Sequence, residues 1–159
     1  MEHLFFDHSG KKLKIQEIVF EMAAFMKEDE RRRYRITVGT DSQRLEDNTA
    51  EFATAIVIHR IGNGARYFWK RHEIGKFFTL RDRIIQEALY SIDIAKEILT
   101  ALKKADTPLF SFEVHVDVGE KGETKAVIQE VTGMVTANNF QVRIKPNSYA
   151  ASNVADRHV

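Results

Sequence analysis

Two aspartates in this chain occupy matching places. Asp41 follows Val38-Gly39-Thr40, and Asp117 ends the run Phe112-Glu113-Val114-His115-Val116. Both runs alternate as strands do, and side chains of a strand point to opposite faces in turn. By that parity Asp41 points away from the side taken by Ile36 and Val38, and Asp117 opposes Phe112, Val114 and Val116. If the two strands are parallel neighbours, their carboxylates meet at one sheet end, where α/β folds place ligand crevices. Like charges that close repel unless a proton or a cation lies between them. Magnesium or manganese suits such a place, because hard cations take oxygen ligands and keep several waters, so two or three carboxylates suffice. An Asp after a strand also serves to cap a loop or start a turn, which leaves a purely local role open. His115 stands two residues before Asp117 on the same face, placed either to orient a phosphate or a water or to be hydrogen-bonded structurally.

The elements that must position these residues follow from the hydrophobic pattern. Ile15, Ile18, Val19, Met22 and Met26 share one face of a helix over about Lys12 to Lys27. Arg31-Arg32-Arg33 beside Glu28-Asp29-Glu30 reads as a solvated turn. A strand over Tyr34 to Thr40 precedes a strong one over Glu51 to His59, apolar on both faces and so suited to cover on both sides. Gly62-Asn63-Gly64 is a hairpin turn into a third strand, Arg66 to His72. A long helix over Leu80 to Lys104 carries a broad apolar stripe. Strand Leu109 to Val118, helix Thr124 to Thr136, strand Phe140 to Lys145 and a short terminal helix, Tyr149 to Arg157, complete the chain. The order predicts an α/β fold in which three antiparallel strands and a following αβαβ form a mixed five-stranded sheet flanked by helices. All 159 residues are expected in one domain, with residues 1–33 as a helical extension.

Composition narrows the partners. With 43% hydrophobic and 30% charged residues the chain is of the soluble globular kind, and its net charge of +1 exerts no global pull on nucleic acid or anionic membrane. Zero cysteines exclude a disulfide-linked partner, a thiolate metal site and a cysteine nucleophile. No apolar run approaches the roughly 20 residues of a membrane helix, and the start Met1-Glu2-His3-Leu4 has no signal-peptide pattern, so a cytoplasmic, membrane-free location is expected. Local charge is another matter. Arg60 to Arg83 holds seven basic residues against Glu73 and Asp82, with Tyr67, Phe68, Trp69, Phe77 and Phe78 among them. Basic side chains interleaved with aromatics can hold phosphates and stack unpaired bases, and a charged edge strand with its aromatics in the core has the same composition. Arg66, Lys70, Arg71 and Lys145 are the candidate nucleic-acid contacts. Gly119-Glu120-Lys121-Gly122-Glu123-Thr124-Lys125 lacks the Gly-Lys-Ser/Thr ending of a phosphate loop and carries two acids, so it binds no nucleoside triphosphate in that manner.

Four stretches carry a resemblance. Val38-Gly39-Thr40-Asp41-Ser42-Gln43, Gln86 to Ile92, His115-Val116-Asp117-Val118-Gly119 and Ile144-Lys145-Pro146-Asn147-Ser148-Tyr149-Ala150-Ala151-Ser152 with Val154 to His158 resemble the YkuK-like family of ribonuclease H-like proteins. The likeness runs from about Arg35 to the end, and its last motif is the most specific. The resemblance implies a ribonuclease H-like fold and a two-metal nuclease site using Mg2+ or Mn2+. Its carboxylates come from the first strand, the first long helix, the fourth strand and the terminal helix. Matched by position these are Asp41, Glu87, Asp117 and Asp156, with Asp41, Asp117 and Asp156 as metal ligands. Asp93, on the same helix as Glu87, is the alternative to it. RNA, DNA or a hybrid would be the substrate. Two other functions use the same fold: a non-catalytic module binding nucleic acid or protein, and a phosphatase acting on a small phosphate ester.

Overall fold

Alternation along Tyr34–Arg44 and Thr49–Arg60 builds the two central strands, and the other elements are arranged around them. The computed structural model describes residues 3–73 and 75–158, with the side chains of residues 151, 152, 156 and 157 outside the description. In chain order the elements are β1 (Leu4–Phe6), β2 (Lys12–Lys14), α1 (Ile15–Glu28), β3 (Tyr34–Arg44), β4 (Thr49–Arg60), β5 (Ala65–Arg71), β6 (Gly75–Lys76), α2 (Leu80–Lys103), β7 (Phe110–His115), α3 (Ile128–Ala137) and β8 (Gln141–Arg143). Two terminal helical turns follow, Ala150–Val154 and Ala155–His158. The sheet runs β2-β1-β5-β4-β3-β7-β8, with the short β6 pairing to β4. Strands β3, β4 and β5 form the antiparallel meander, and β7 and β8 join it in parallel.

The five expected strands are present, and three short ones extend the sheet beyond the expected five. The N-terminal segment is a hairpin followed by a helix rather than a helix alone. Asp7 makes the turn: its Oδ1 accepts from the backbone N–H of Ser9 and of Lys11, at 2.8 and 3.0 Å. Phe6 then pairs with Trp69 and fixes the hairpin on the β5 edge. The helix after Gly122 also begins differently, as a tight turn over Glu123–Val127 before α3.

One face of the sheet, carrying Ile36, Val38, Ile56, Ile58 and Phe68, forms the main core with α1, α2 and α3. The opposite face carries Thr37, Ala53, Ala55 and Val57, all buried. The terminal turns lie over β3, β4 and β5. Burial on both faces is what the doubly apolar β4 requires. Arg60, at the end of β4, secures α1. Its Nη2 donates to the Phe25 carbonyl at 2.7 Å and to Glu28 at 3.0 Å, its Nε donates to the Tyr34 hydroxyl at 3.1 Å, and its guanidinium lies 3.9 Å from the centre of the Phe25 ring. Among the described residues no helix is long and apolar enough to cross a membrane.

Candidate active site

Parallel pairing of β3 with β7 sets Thr37 opposite Glu113 and Gly39 opposite His115. The pairing ends there: Asp41 lies two residues further along β3, which runs on to Arg44, and Asp117 lies two residues beyond the end of β7. The third acid arrives from α2. Its placement rests on a line of buried hydroxyls: Thr40 Oγ1 shares hydrogen bonds of 2.7 Å with Ser91 of α2 and with Thr54 of β4. Thr54 in turn meets His72 Nε2 at 2.7 Å, and the His72 ring is stacked on Tyr90. One helical turn before Ser91, Glu87 faces the strand ends. Ser42, next to Asp41, donates from Oγ to Glu87 Oε2 at 2.6 Å.

Glu87 is buried, with 5% of its surface exposed, whereas Asp93 is on the exposed side of α2. Burial pushes the Glu87 carboxyl well above the usual range; the Ser42 hydrogen bond and Arg83 oppose that, and the charges of Asp41 and Asp117 add to it. The charges of Asp41 on β3 and Asp117 beyond β7 thus bear on the Glu87 carboxyl of α2. Asp117 also meets a cation, since Lys145 Nζ lies 3.3 Å from its Oδ1. The Lys145 backbone N–H donates to the Val118 carbonyl, which carries its side chain past Gly119. A Cβ at Gly119 would sit 3.2 Å from Lys145 Cβ, so a larger residue there would press on this ion pair.

Behind the acids lies a second buried network. His115 Nδ1 accepts the backbone N–H of Ala150 at 3.2 Å, which leaves Nε2 to donate to Glu113 Oε1 at 3.1 Å. Glu113 also accepts from Arg143 Nε at 2.9 Å. Burial alone would raise the Glu113 pKa, but the His115 and Arg143 hydrogen bonds outweigh it and hold the carboxyl below its ordinary value. Burial pushes the His115 imidazole down, so it is neutral at pH 7. Tyr149 meets the His115 ring edge-on and accepts from Thr37 through its hydroxyl. His115 is thus a structural histidine that fastens the terminal turns to the sheet. His115→Ala would leave buried groups unpaired on both sides and should cost about 2 kcal/mol or more. Carboxypeptidase should then trim the end of the chain faster than in the wild type.

Asp156 belongs to the turn Ala155–His158, and its side chain lies outside the described residues. The four expected nucleic-acid contacts do not share a surface. Alternation along β5 puts Arg66 and Lys70 on the helix-covered face, with Arg66 over the Phe25 ring, and turns Arg71 to the other. Arg71 Nε donates to the His158 carbonyl at 2.7 Å, while Lys145 stands at the acids. Trp69 is stacked against His158 at 4.0 Å between ring centres. Ser42 and Arg83 are the site residues that sequence reasoning missed. Ser42 directly follows Asp41 within a quoted motif, and Arg83 lies one helical turn before Glu87, so both carried a positional signal.

Every described donor at the strand ends is an oxygen, the donor set of a hard cation. The repulsion felt by Glu87 is of the kind a divalent cation relieves. Among the described residues no three Asp, Glu, His or Cys side chains form a ready-made metal cage. Asp41, Asp117 and Glu87 offer oxygen donors, the type that magnesium and manganese take, but they are not gathered into a cage as they stand.

A family model described as Ribonuclease H-like matches residues 17–159. A Bacillus subtilis (strain 168) protein named Uncharacterized protein YkuK is 37% identical over 165 residues, covering 97% of this chain and 95% of the relative. No solved structure matches the chain.

Proposed function

The chain belongs to the YkuK-like family of ribonuclease H-like proteins, and from that premise we propose that it is a divalent-metal-dependent phosphodiesterase acting on nucleic acid. The observation that carries this reading is that Glu87 of α2 is hydrogen-bonded to Ser42, next to Asp41 on β3, while the parallel neighbour β7 ends two residues before Asp117. Asp41 and Asp117 would hold Mg2+ or Mn2+, with Asp156 completing the shell from the terminal turn. Bound there, the cation would polarise the phosphate and lower the pKa of an attacking water. The chain's own residues do the rest. Ser42 and Ser91 fix the helix that carries Glu87, so the carboxylate reaches the strand ends. Burial and the neighbouring acids favour the protonated form of Glu87, and a cation held beside it would favour the ionised form. Lys145, paired with Asp117, and Arg83, whose charge bears on Glu87, would bind and orient the phosphate.

A second reading has one observation in its favour. Asp117 already meets the Lys145 ammonium, and that pair suits a binding module that needs no metal. Thermal melting with manganese separates the two. A ligand bound only by the folded state stabilises it by about 2.7 kcal/mol at a hundred times its dissociation constant. Manganese should raise the melting temperature of the wild type, and Asp41→Asn and Asp117→Asn should each remove the increment. Lys145→Ala should enlarge it, because the Lys145 ammonium no longer competes with the cation for Asp117. An equal manganese response in the wild type and both aspartate variants would remove the phosphodiesterase reading.

A further inference from the structure

Five aromatics lie in the basic stretch between Arg60 and Arg83, and the fold has engaged four of them. Phe68 is buried in the core. Trp69 is stacked by His158 and by Phe6, and Tyr67 lies beside the same His158 ring. Phe77 packs edge-on against Phe52. Phe78 is different: 71% of its surface is exposed, although a phenyl ring gains roughly 1.5–3 kcal/mol from burial.

Its position gives this exposure a meaning. Phe77 donates its backbone N–H to the Asn48 carbonyl, and Lys76 pairs with Thr49, so this segment is tied to the loop that links β3 to β4. That loop leaves the same sheet end as Asp41. Thr79, next to Phe78, caps α2 by accepting the Asp82 N–H, and the helix then runs through Arg83 to Glu87. Arg83 and Glu87 are one turn apart on one side of α2, and Arg83 acts on the Glu87 charge. From Leu80 to Glu87 the helix rises about 10 Å. Lys76, on the near side of Phe78, is exposed. In chain order, an exposed aromatic residue thus stands between Lys76 and Arg83, just before the helix that carries Glu87.

We propose that Phe78 is a stacking platform for an unpaired nucleobase, with Lys76 and Arg83 holding the phosphates on either side of it. The substrate strand is then single-stranded where it leaves the carboxylates, since a base within a duplex has no free face to offer. This inference rests on the nucleic-acid reading of the site and adds the class of strand it accepts. Stacking tolerates any base, so the platform selects unpaired strands rather than a sequence.

Fluorescence anisotropy with labelled 15-mers of oligo(dT) and oligo(U), and with a 15-base-pair duplex, tests it. Calcium replaces magnesium in these measurements, because its looser coordination holds phosphate without the octahedral geometry that magnesium imposes. Losing one stacked base costs about 1–3 kcal/mol, or roughly 5- to 150-fold in affinity. Phe78→Ala should weaken single-strand binding by about tenfold or more, leave duplex binding unchanged and keep the same salt slope. Phe78→Trp should restore the loss. Preference between the dT and U arms identifies the natural strand, and either preference supports the platform. If Phe78→Ala binds single strands as the wild type does, or loses duplex binding equally, the platform is wrong while the carboxylate site stands. If the wild type binds no nucleic acid at all, the platform falls together with the nucleic-acid reading.

Discussion

Replacing Asp41 or Asp117 with asparagine should leave a folded protein whose metal-dependent turnover falls by about a hundred- to a thousandfold or more. That is the scale set by removing a single preorganised electrostatic partner from a transition state. Asparagine keeps the shape and removes the charge. Neither aspartate is in the main core, so the metal-free variants should stay folded with little change in stability, Asp117→Asn losing only its half-exposed Lys145 pair. Circular dichroism and melting without metal, beside turnover in manganese, separate the two effects. Asp156→Asn should follow the same pattern with one difference. Asp41 and Asp117 remain, so a manganese-induced rise in melting temperature persists while turnover is largely lost.

Glu87→Gln should change how stability depends on pH. The native Glu87 carboxyl titrates well above its ordinary value, whereas the unfolded chain releases that proton near pH 4.5. Between those points the native state binds the extra proton, so stability falls as pH rises through the native pKa, by at most about 1.4 kcal/mol per pH unit. His72, whose imidazole burial pushes down to about 3, acts with the opposite sign. The unfolded chain protonates that residue below about pH 6.5, so its contribution is lost as pH falls. Melting curves without metal should therefore show the wild type losing stability from the ordinary carboxylate range upward, and Glu87→Gln losing much less. The His72 contribution is common to both proteins and cancels in the difference. Saturating manganese should flatten the wild-type curve, because the cation stabilises the ionised form. Parallel pH curves for the two proteins would show that Glu87 carries no burden from its neighbours.

Where these residues lie in the fold was partly legible, because strands report their own geometry. Parity along β3 puts Asp41 on the face away from Val38, whereas β7 ends at His115 and Asp117, expected within that strand, lies just beyond it. The preference for Glu87 over Asp93 rested on nearness to the helix start. The structure adds that Ser42 bonds Glu87 and that Asp93 faces solvent. The β1–β2 hairpin escaped notice because its strands have three residues each, too few to display a period. The turn residues Asp7, Ser9 and Gly10 between Phe6 and Leu13 were the available signal.

Other features could not be read locally at all. Trp69 and Arg71 look like a nucleic-acid surface in the sequence, yet they are engaged by His158, far away in the chain. The Lys145–Asp117 pair depends on the return of the chain through β8 to the end of β7. Local patterns revealed the elements and their faces, while occupation of those faces was set by long-range packing.

Manganese-dependent cleavage by the wild-type chain, measured across RNA, DNA, an RNA–DNA hybrid and small phosphate esters, tests the central claim most directly. Cleavage of at least one of the nucleic acids is expected, requiring the cation and lost in Asp41→Asn. Cleavage of none of these substrates with either magnesium or manganese, by a protein that is folded and retains its melting transition, would contradict it.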